Sequence, residues 1–117
     1  MKTKILLLAC GLLLLPEIAR ADVATLLNDY DGPQPNRTFS EILIVGIAEG
    51  FDTINAELKQ AGSPPLFCSP VKMKADQLIE ILRKWIDANR AKSQRIEKAP
   101  PGPALLRALT EAFPCKK

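Results

Sequence analysis

The sequence predicts a small all-α domain of four to five helices held by one disulfide. Proline- and glycine-rich stretches at residues 31–35, 62–65 and 100–103 divide the chain after residue 22 into four segments. Within these segments apolar residues recur every three or four positions, which is typical of amphipathic helices. Only residues 42–45 are β-branched enough to suggest a strand, and they lack period-two alternation.

Residues 1–21 have the pattern of a cleaved secretion signal. Lys2 and Lys4 precede an apolar run at residues 5–15, and a small-x-small cleavage site ends at Ala21. The run is too short to span a membrane, which takes roughly 20 residues. We therefore expect a periplasmic domain of residues 22–117 without a membrane anchor. Cys10 lies within the apolar run, so lipoprotein processing there stays an alternative.

The first two helices are predicted at residues 23–28 and 38–60. Thr38 and Glu41 have the spacing of a capping box at the start of the longer helix, and Gly62 is well placed to end it. Four apolar residues follow one stripe of this helix, which we expect to be buried: Ile47, Phe51, Ile54 and Leu58.

Gly46 and Gly50 lie four residues apart inside the second helix. Glycine in a helix costs about 1 kcal/mol relative to alanine, so a packing reason is expected. Another helix, from the same chain or from a second copy, would cross closely at this point. Both alternatives stay open.

The third helix is predicted at residues 74–89, and its inner face carries Leu78, Ile81, Leu82, Trp85 and Ile86. The fourth begins after Gly102, because Pro103 is tolerated in a first turn, where its missing N–H is harmless. It ends before Pro114. Its inward residues are Leu105, Leu106 and Leu109.

Two cysteines remain after the signal. Cys68 lies in the loop before the third helix and Cys115 follows the fourth. An exported chain meets an oxidising compartment, where two thiols normally form a disulfide. If they pair, the chain-entropy model assigns the closed loop roughly 4 kcal/mol of stabilisation.

Charge is segregated along the chain. Residues 22–57 hold seven acidic residues and one basic residue, whereas residues 58–117 hold twelve basic and five acidic residues. The segregation fits ordinary solvated helix faces, a basic surface for an acidic partner, or head-to-tail complementarity in a dimer. Nucleic acid is not expected as a partner, because aromatic residues do not interleave with the basic ones.

The sequence favours a binding protein over an enzyme. It contains no histidine, which excludes Ser-His and Cys-His nucleophile pairs and most zinc sites. Carboxylate pairs such as Asp76 and Glu80 have a spacing that is common on solvated helices. We therefore predict no catalytic residue, no metal and no cofactor.

Four stretches resemble the Rap/Tai family of immunity proteins: residues 46–50 (GIAEG), 66–70 (LFCSP), 77–86, and 108–115, which ends in FPC. The resemblance covers roughly residues 38–115. Its most specific part is the order of a Cys-x-Pro motif before one helix and a Phe-Pro-Cys motif after the next.

This resemblance implies an all-helical periplasmic protein that binds and blocks a peptidoglycan amidase delivered by type VI secretion, often as a homodimer. It assigns Cys68 and Cys115 as the disulfide pair. Many relatives have a further cysteine pair, with one cysteine near the first helix and one opening the second. This chain has no cysteine there, so we expect its N-terminal segment to be held more loosely.

We predict the contact surface in the proline-stiffened loops, which lose little entropy on binding. The first choice is residues 94–103, with Gln94, Arg95, Lys98, Pro100, Pro101 and Gly102 as contact residues. Residues 62–65 are the second. Two other functions fit the size and helicity: a periplasmic acid-stress chaperone of the HdeA type, and a structural subunit of an envelope assembly.

Overall fold

A computed structural model describes residues 22–116, and all its regular structure is helical. The four α-helices are α1 (Val23–Asp31), α2 (Asn36–Gln60), α3 (Ala75–Asn89) and α4 (Pro101–Ala112), with a 3-10 turn at Ile96–Lys98. The predicted all-α fold is confirmed. The predicted signal and Cys10 lie outside the described residues. Within residues 22–116, no helix is long and apolar enough to cross a membrane.

The core forms where α3 and α4 pack on each other and on α1 and α2. Its largest fully buried side chains are Val23, Ile44, Leu78, Leu82, Ile86, Leu105 and Leu109. The predicted inner faces of α3 and α4 are therefore confirmed for most residues. Only Ile81 and Leu106 are partly buried instead of buried.

The stripe predicted to be buried on α2 is partly wrong. Ile47, Phe51 and Leu58 are half-buried, but Ile54 is 46% exposed. The buried residues of α2 are instead Ser40 and Ile44. Both sides of α2 are apolar, so the spacing of its apolar residues does not indicate which side faces the chain.

The start of α2 also differs from the prediction. The helix begins at Asn36, and the N–H and hydroxyl groups of Thr38 both donate to the Gln34 side-chain oxygen, at 3.1 and 2.6 Å. Glu41 pairs with Arg37 instead of reaching back to Thr38. The predicted capping box is therefore wrong, because a preceding glutamine supplies the acceptor.

The end of α2 is as predicted. Gly62 has φ 72°, and its N–H donates to the Lys59 carbonyl while the Ser63 N–H donates to the Leu58 carbonyl. This pair of bonds is a Schellman motif, which requires a left-handed residue that glycine adopts without strain.

Helix α1 begins where it was predicted to begin, with Asp22 as its N-cap, but it extends three residues past the predicted end, to Asp31. The Asp22 carboxylate accepts from the Thr25 N–H at 2.8 Å. The buried Ser40 hydroxyl donates to the Leu26 carbonyl at 2.9 Å, and Asp31 pairs with Arg83 of α3. The last two contacts fix α1 to α2 and to α3.

Replacing Asp22 with alanine is expected to lower the free energy of unfolding by about 1 kcal/mol, because the Thr25 N–H loses its acceptor. That hydrogen bond also lowers the pKa of the Asp22 carboxyl below its ordinary value of 3.8. The contribution is thus fully present above about pH 4 and is lost as the pH falls through the lower folded pKa.

Urea unfolding at pH 7 and pH 3 measures both effects. Asp22→Asn is the matched control, since it keeps an N-cap acceptor and should stay close to wild type at pH 7. Equal stability of Asp22→Ala and wild type at pH 7 would contradict the assignment of Asp22 as a stabilising cap.

Candidate functional site

The segment between α3 and α4 forms an ordered projection, here called the basic ridge (residues 90–98). The N–H groups of Lys92 and Ser93 donate to the Asn89 carbonyl at 3.0 and 3.1 Å, which turns the chain at the end of α3. The Lys98 N–H then donates to the Arg95 carbonyl at 3.0 Å. Two short turns therefore hold the backbone of the ridge.

Three contacts fix the base of the ridge to the fold. Ile96 packs against the core. The Val23 N–H of α1 donates to the carbonyl of Ala99 at 3.0 Å. The Arg90 guanidinium pairs with Glu97 across the ridge, with Nη2 2.6 Å from Oε1. A rigid base of this kind reduces the entropy lost when the exposed side chains bind a partner.

The exposed side of the ridge is positively charged. Lys92, Arg95 and Lys98 are exposed, and none of the ion pairs found in residues 22–116 involves them. Arg90, by contrast, pairs with Asp87 as well as with Glu97. Within residues 22–116 these three cations thus face solvent with no carboxylate oxygen within 4 Å of their charged nitrogens.

The structure divides the predicted contact residues into two sets. Gln94, Arg95 and Lys98 are exposed on the ridge, and Pro100 is exposed directly before α4. Pro101 and Gly102 are half-buried in the first turn of α4. Contact between these residues and a partner stays a prediction. The exposed set on the ridge is more accessible to a partner than the half-buried set.

A groove of about 580 Å³ lies beside the second predicted loop. One wall is α2 with Asp52, Asn55, Ala56 and Lys59, and the other runs from Ser63 to Ser69. The Asn55 side chain fixes this second wall by accepting from the Leu66 N–H at 2.7 Å and donating to the Phe67 carbonyl at 3.4 Å.

The disulfide closes the end of the same wall. Cys68 and Cys115 are bonded, which confirms the predicted pairing. The Cys68 N–H also donates to the Phe113 carbonyl at 2.8 Å. The loop before α3 is thereby tied to the end of α4 by one covalent bond and one hydrogen bond.

Sequence reasoning missed an apolar surface on α2. Phe39, Ile42, Leu43 and Ile54 are exposed, although each is a large apolar side chain. They flank Gly46 and Gly50, and a Cβ atom added at either glycine would meet no atom within 4 Å. The spacing of Gly46 and Gly50 predicted a close helix crossing on this side of α2, but it did not indicate which apolar side chains are exposed beside it.

These surfaces carry charged and apolar side chains. In residues 22–116 no group of three or more His, Cys, Asp or Glu side chains is placed to hold a metal ion. Both cysteines of this range are engaged in the disulfide. Three surfaces of the described residues could contact a partner: the positively charged ridge, the groove beside residues 62–65, and the exposed apolar side chains of α2.

Comparison with known proteins gives one match. A family model described as "Rap1a immunity proteins" matches residues 20–115. No curated protein and no solved structure matches the chain. The matched range includes almost all of the described residues, so the ridge, the groove and the disulfide all fall within it.

Proposed function

The chain belongs to the Rap1a immunity protein family, and from this premise we propose that it blocks a peptidoglycan amidase delivered into the periplasm by type VI secretion. An immunity protein acts by binding a protein effector, as an inhibitor and not as an enzyme. Export with cleavage after Ala21, the amidase as effector, and action as a homodimer are parts of the proposal.

The observation that carries the proposal is the basic ridge. Lys92, Arg95 and Lys98 project from a base that is fixed by Ile96 and by the hydrogen bond from Val23 to Ala99. An inhibitor that covers an active-site cleft needs a projecting element that is already ordered, because ordering a loop during binding reduces affinity.

The charge of the ridge indicates what it would contact. Three exposed cations, none of them in an ion pair found within residues 22–116, favour an acidic surface around the cleft of the amidase. Complementary charge accelerates the encounter and selects against wrong partners more than it adds to affinity. Binding is therefore expected to weaken as the salt concentration rises, because exposed charges are screened.

Co-expression with a periplasmic amidase tests the proposal. A Cys-His hydrolase encoded by a neighbouring reading frame serves as the candidate amidase, and it is directed to the periplasm and induced in the presence of the chain. Cells producing the full chain are expected to grow, whereas cells producing the chain without residues 2–21 are expected to lyse. Lysis of both cultures would refute protection, and growth of both would refute the need for export.

The purified exported protein separates this function from the chaperone hypothesis. An immunity protein binds its amidase at neutral pH and leaves unrelated proteins unprotected. A chaperone of the acid-stress type binds a hydrophobic dye and prevents aggregation of unrelated proteins after acidification. Binding of the amidase is followed by isothermal titration calorimetry, and dye fluorescence is followed from pH 7 to pH 2.

A further inference from the structure

The groove between α2 and residues 63–69 has the size of a small-ligand site. Its volume of about 580 Å³ lies within the roughly 300–1,000 Å³ that is usual for such sites. Asp52, Asn55, Ala56 and Lys59 line it from α2. Their spacing of three, four and seven residues places them on one stripe of the helix. The basic ridge, which carries the proposed function, does not include this groove.

The wall opposite α2 is held in place by the fold itself. The Phe67 ring is buried and packs edge-on against Phe51 of α2, with the ring centroids 6.4 Å apart. The Asn55 side chain and the disulfide hold the adjacent backbone. Pro64 and Pro65 restrict the wall further, because proline fixes φ. A ligand therefore binds here without the entropic cost of ordering a loop.

The two charged side chains of the groove have opposite signs. Asp52 and Lys59 are the first and the last of the α2 residues that line it, and seven residues of helix separate them by about 10 Å. Both are exposed, and none of the ion pairs found in residues 22–116 involves either. A ligand with an amine and a carboxylate at a similar separation would complement both charges.

The wall opposite α2 has no backbone donor free over residues 63–66. The Ser63 N–H donates to the Leu58 carbonyl, and the Leu66 N–H donates to the Asn55 side chain. The two residues between them are prolines, which have no N–H group. An extended segment of a larger protein that added a strand here would need such donors. Recognition through the two ends of a ligand needs none.

We infer that the groove binds a short free peptide, with its amine at Asp52 and its carboxylate at Lys59. Three extended residues span about 10 Å, which matches the separation of the two charges along α2. Charge-assisted hydrogen bonds hold the two ends. An apolar side chain in the middle of the peptide contacts Ala56 and Pro65, which line the groove between them.

A nuclear magnetic resonance titration of the ¹⁵N-labelled exported protein tests this inference. The probe is alanyl-leucyl-alanine with both ends free. We expect shifts of the Leu66 amide and of the Asn55 side-chain amide, with a dissociation constant on the order of 0.1 mM. Binding should weaken as the salt concentration rises, because both charges of the groove are exposed.

Two variants assign the ends of the peptide. Asp52→Asn should weaken binding of the free tripeptide about 10-fold and leave binding of the N-acetylated tripeptide unchanged. Lys59→Gln should weaken the free tripeptide to the same extent and leave the C-amidated tripeptide unchanged. Glu57→Gln and Lys92→Gln are the matched controls, since they remove the same charges at exposed positions outside the groove. All four variants should keep the unfolding midpoint of wild type.

Three results would overturn the inference. The first is a wild-type spectrum that does not change up to about 5 mM tripeptide. The second is wild-type affinity in both groove variants. The third is equal binding of the free tripeptide and of one capped at both ends, which would assign the groove to a segment inside a protein chain. No amidase is present in these titrations, so their failure would leave the proposed function standing.

Discussion

Replacing Cys68 and Cys115 together with alanine is expected to lower the free energy of unfolding by about 4 kcal/mol. The two cysteines are 47 residues apart, so the bridge removes much of the freedom of the unfolded chain. Small domains are stable by only about 5–15 kcal/mol in total. The double variant is therefore expected to lie near the limit of folding at 37 °C.

Urea unfolding with far-ultraviolet circular dichroism measures this loss. The wild-type protein under reducing conditions is the matched control, and its curve should superimpose on that of the double variant. Reductant should leave the double variant itself unchanged. A decrease in the free energy of unfolding below 1 kcal/mol would contradict the stabilising role assigned to the disulfide. It would mean that the helical core alone accounts for the stability of the fold.

Replacing Arg95 and Lys98 together with glutamate is expected to weaken binding of the amidase about 100-fold, which corresponds to about 2.7 kcal/mol. Both side chains are exposed and stand outside every ion pair found in residues 22–116. Reversing them replaces attraction to an acidic surface by repulsion. The fold should persist, because neither side chain belongs to the core.

Surface plasmon resonance at two salt concentrations measures this effect. Arg107→Glu/Lys116→Glu is the matched control, since it also reverses one arginine and one lysine at exposed positions that lie outside the ridge and outside the ion pairs found in residues 22–116. Wild type and the control should bind alike, and wild-type binding should weaken with salt. Equal affinity of the Arg95/Lys98 variant and wild type would exclude the ridge as the contact surface.

Most helix boundaries could be predicted because glycine and proline act locally. Gly62 ends α2 through its own left-handed conformation, and the extent of α3 follows from its one-sided apolar pattern. The start of α2 could not be predicted in this way. The acceptor for Thr38 is Gln34, a residue outside the usual capping set, and its role depends on the turn that precedes the helix.

The candidate surfaces were predictable to different extents. The proline-rich loop predicted a contact surface at residues 94–103, which overlaps the ridge over residues 94–98, so part of the ridge could be located before its shape was known. On α2 the spacing of Gly46 and Gly50 indicated a close helix crossing, but the exposed apolar side chains around them could not be identified, because Ile42, Ile44 and Ile54 are chemically alike. Only tertiary packing buries Ile44 and exposes the other two.

Because the Val23 N–H donates to the Ala99 carbonyl, the first turn of α1 supports the base of the ridge. Fraying of that turn and loosening of the ridge are then one opening event, which hydrogen exchange at the Val23 amide would report. The same contact bears on how the protein is handled. A purification tag fused directly ahead of Asp22 would end two residues from the Ala99-bound amide of Val23, so its effect on the ridge should be checked by hydrogen exchange at that amide.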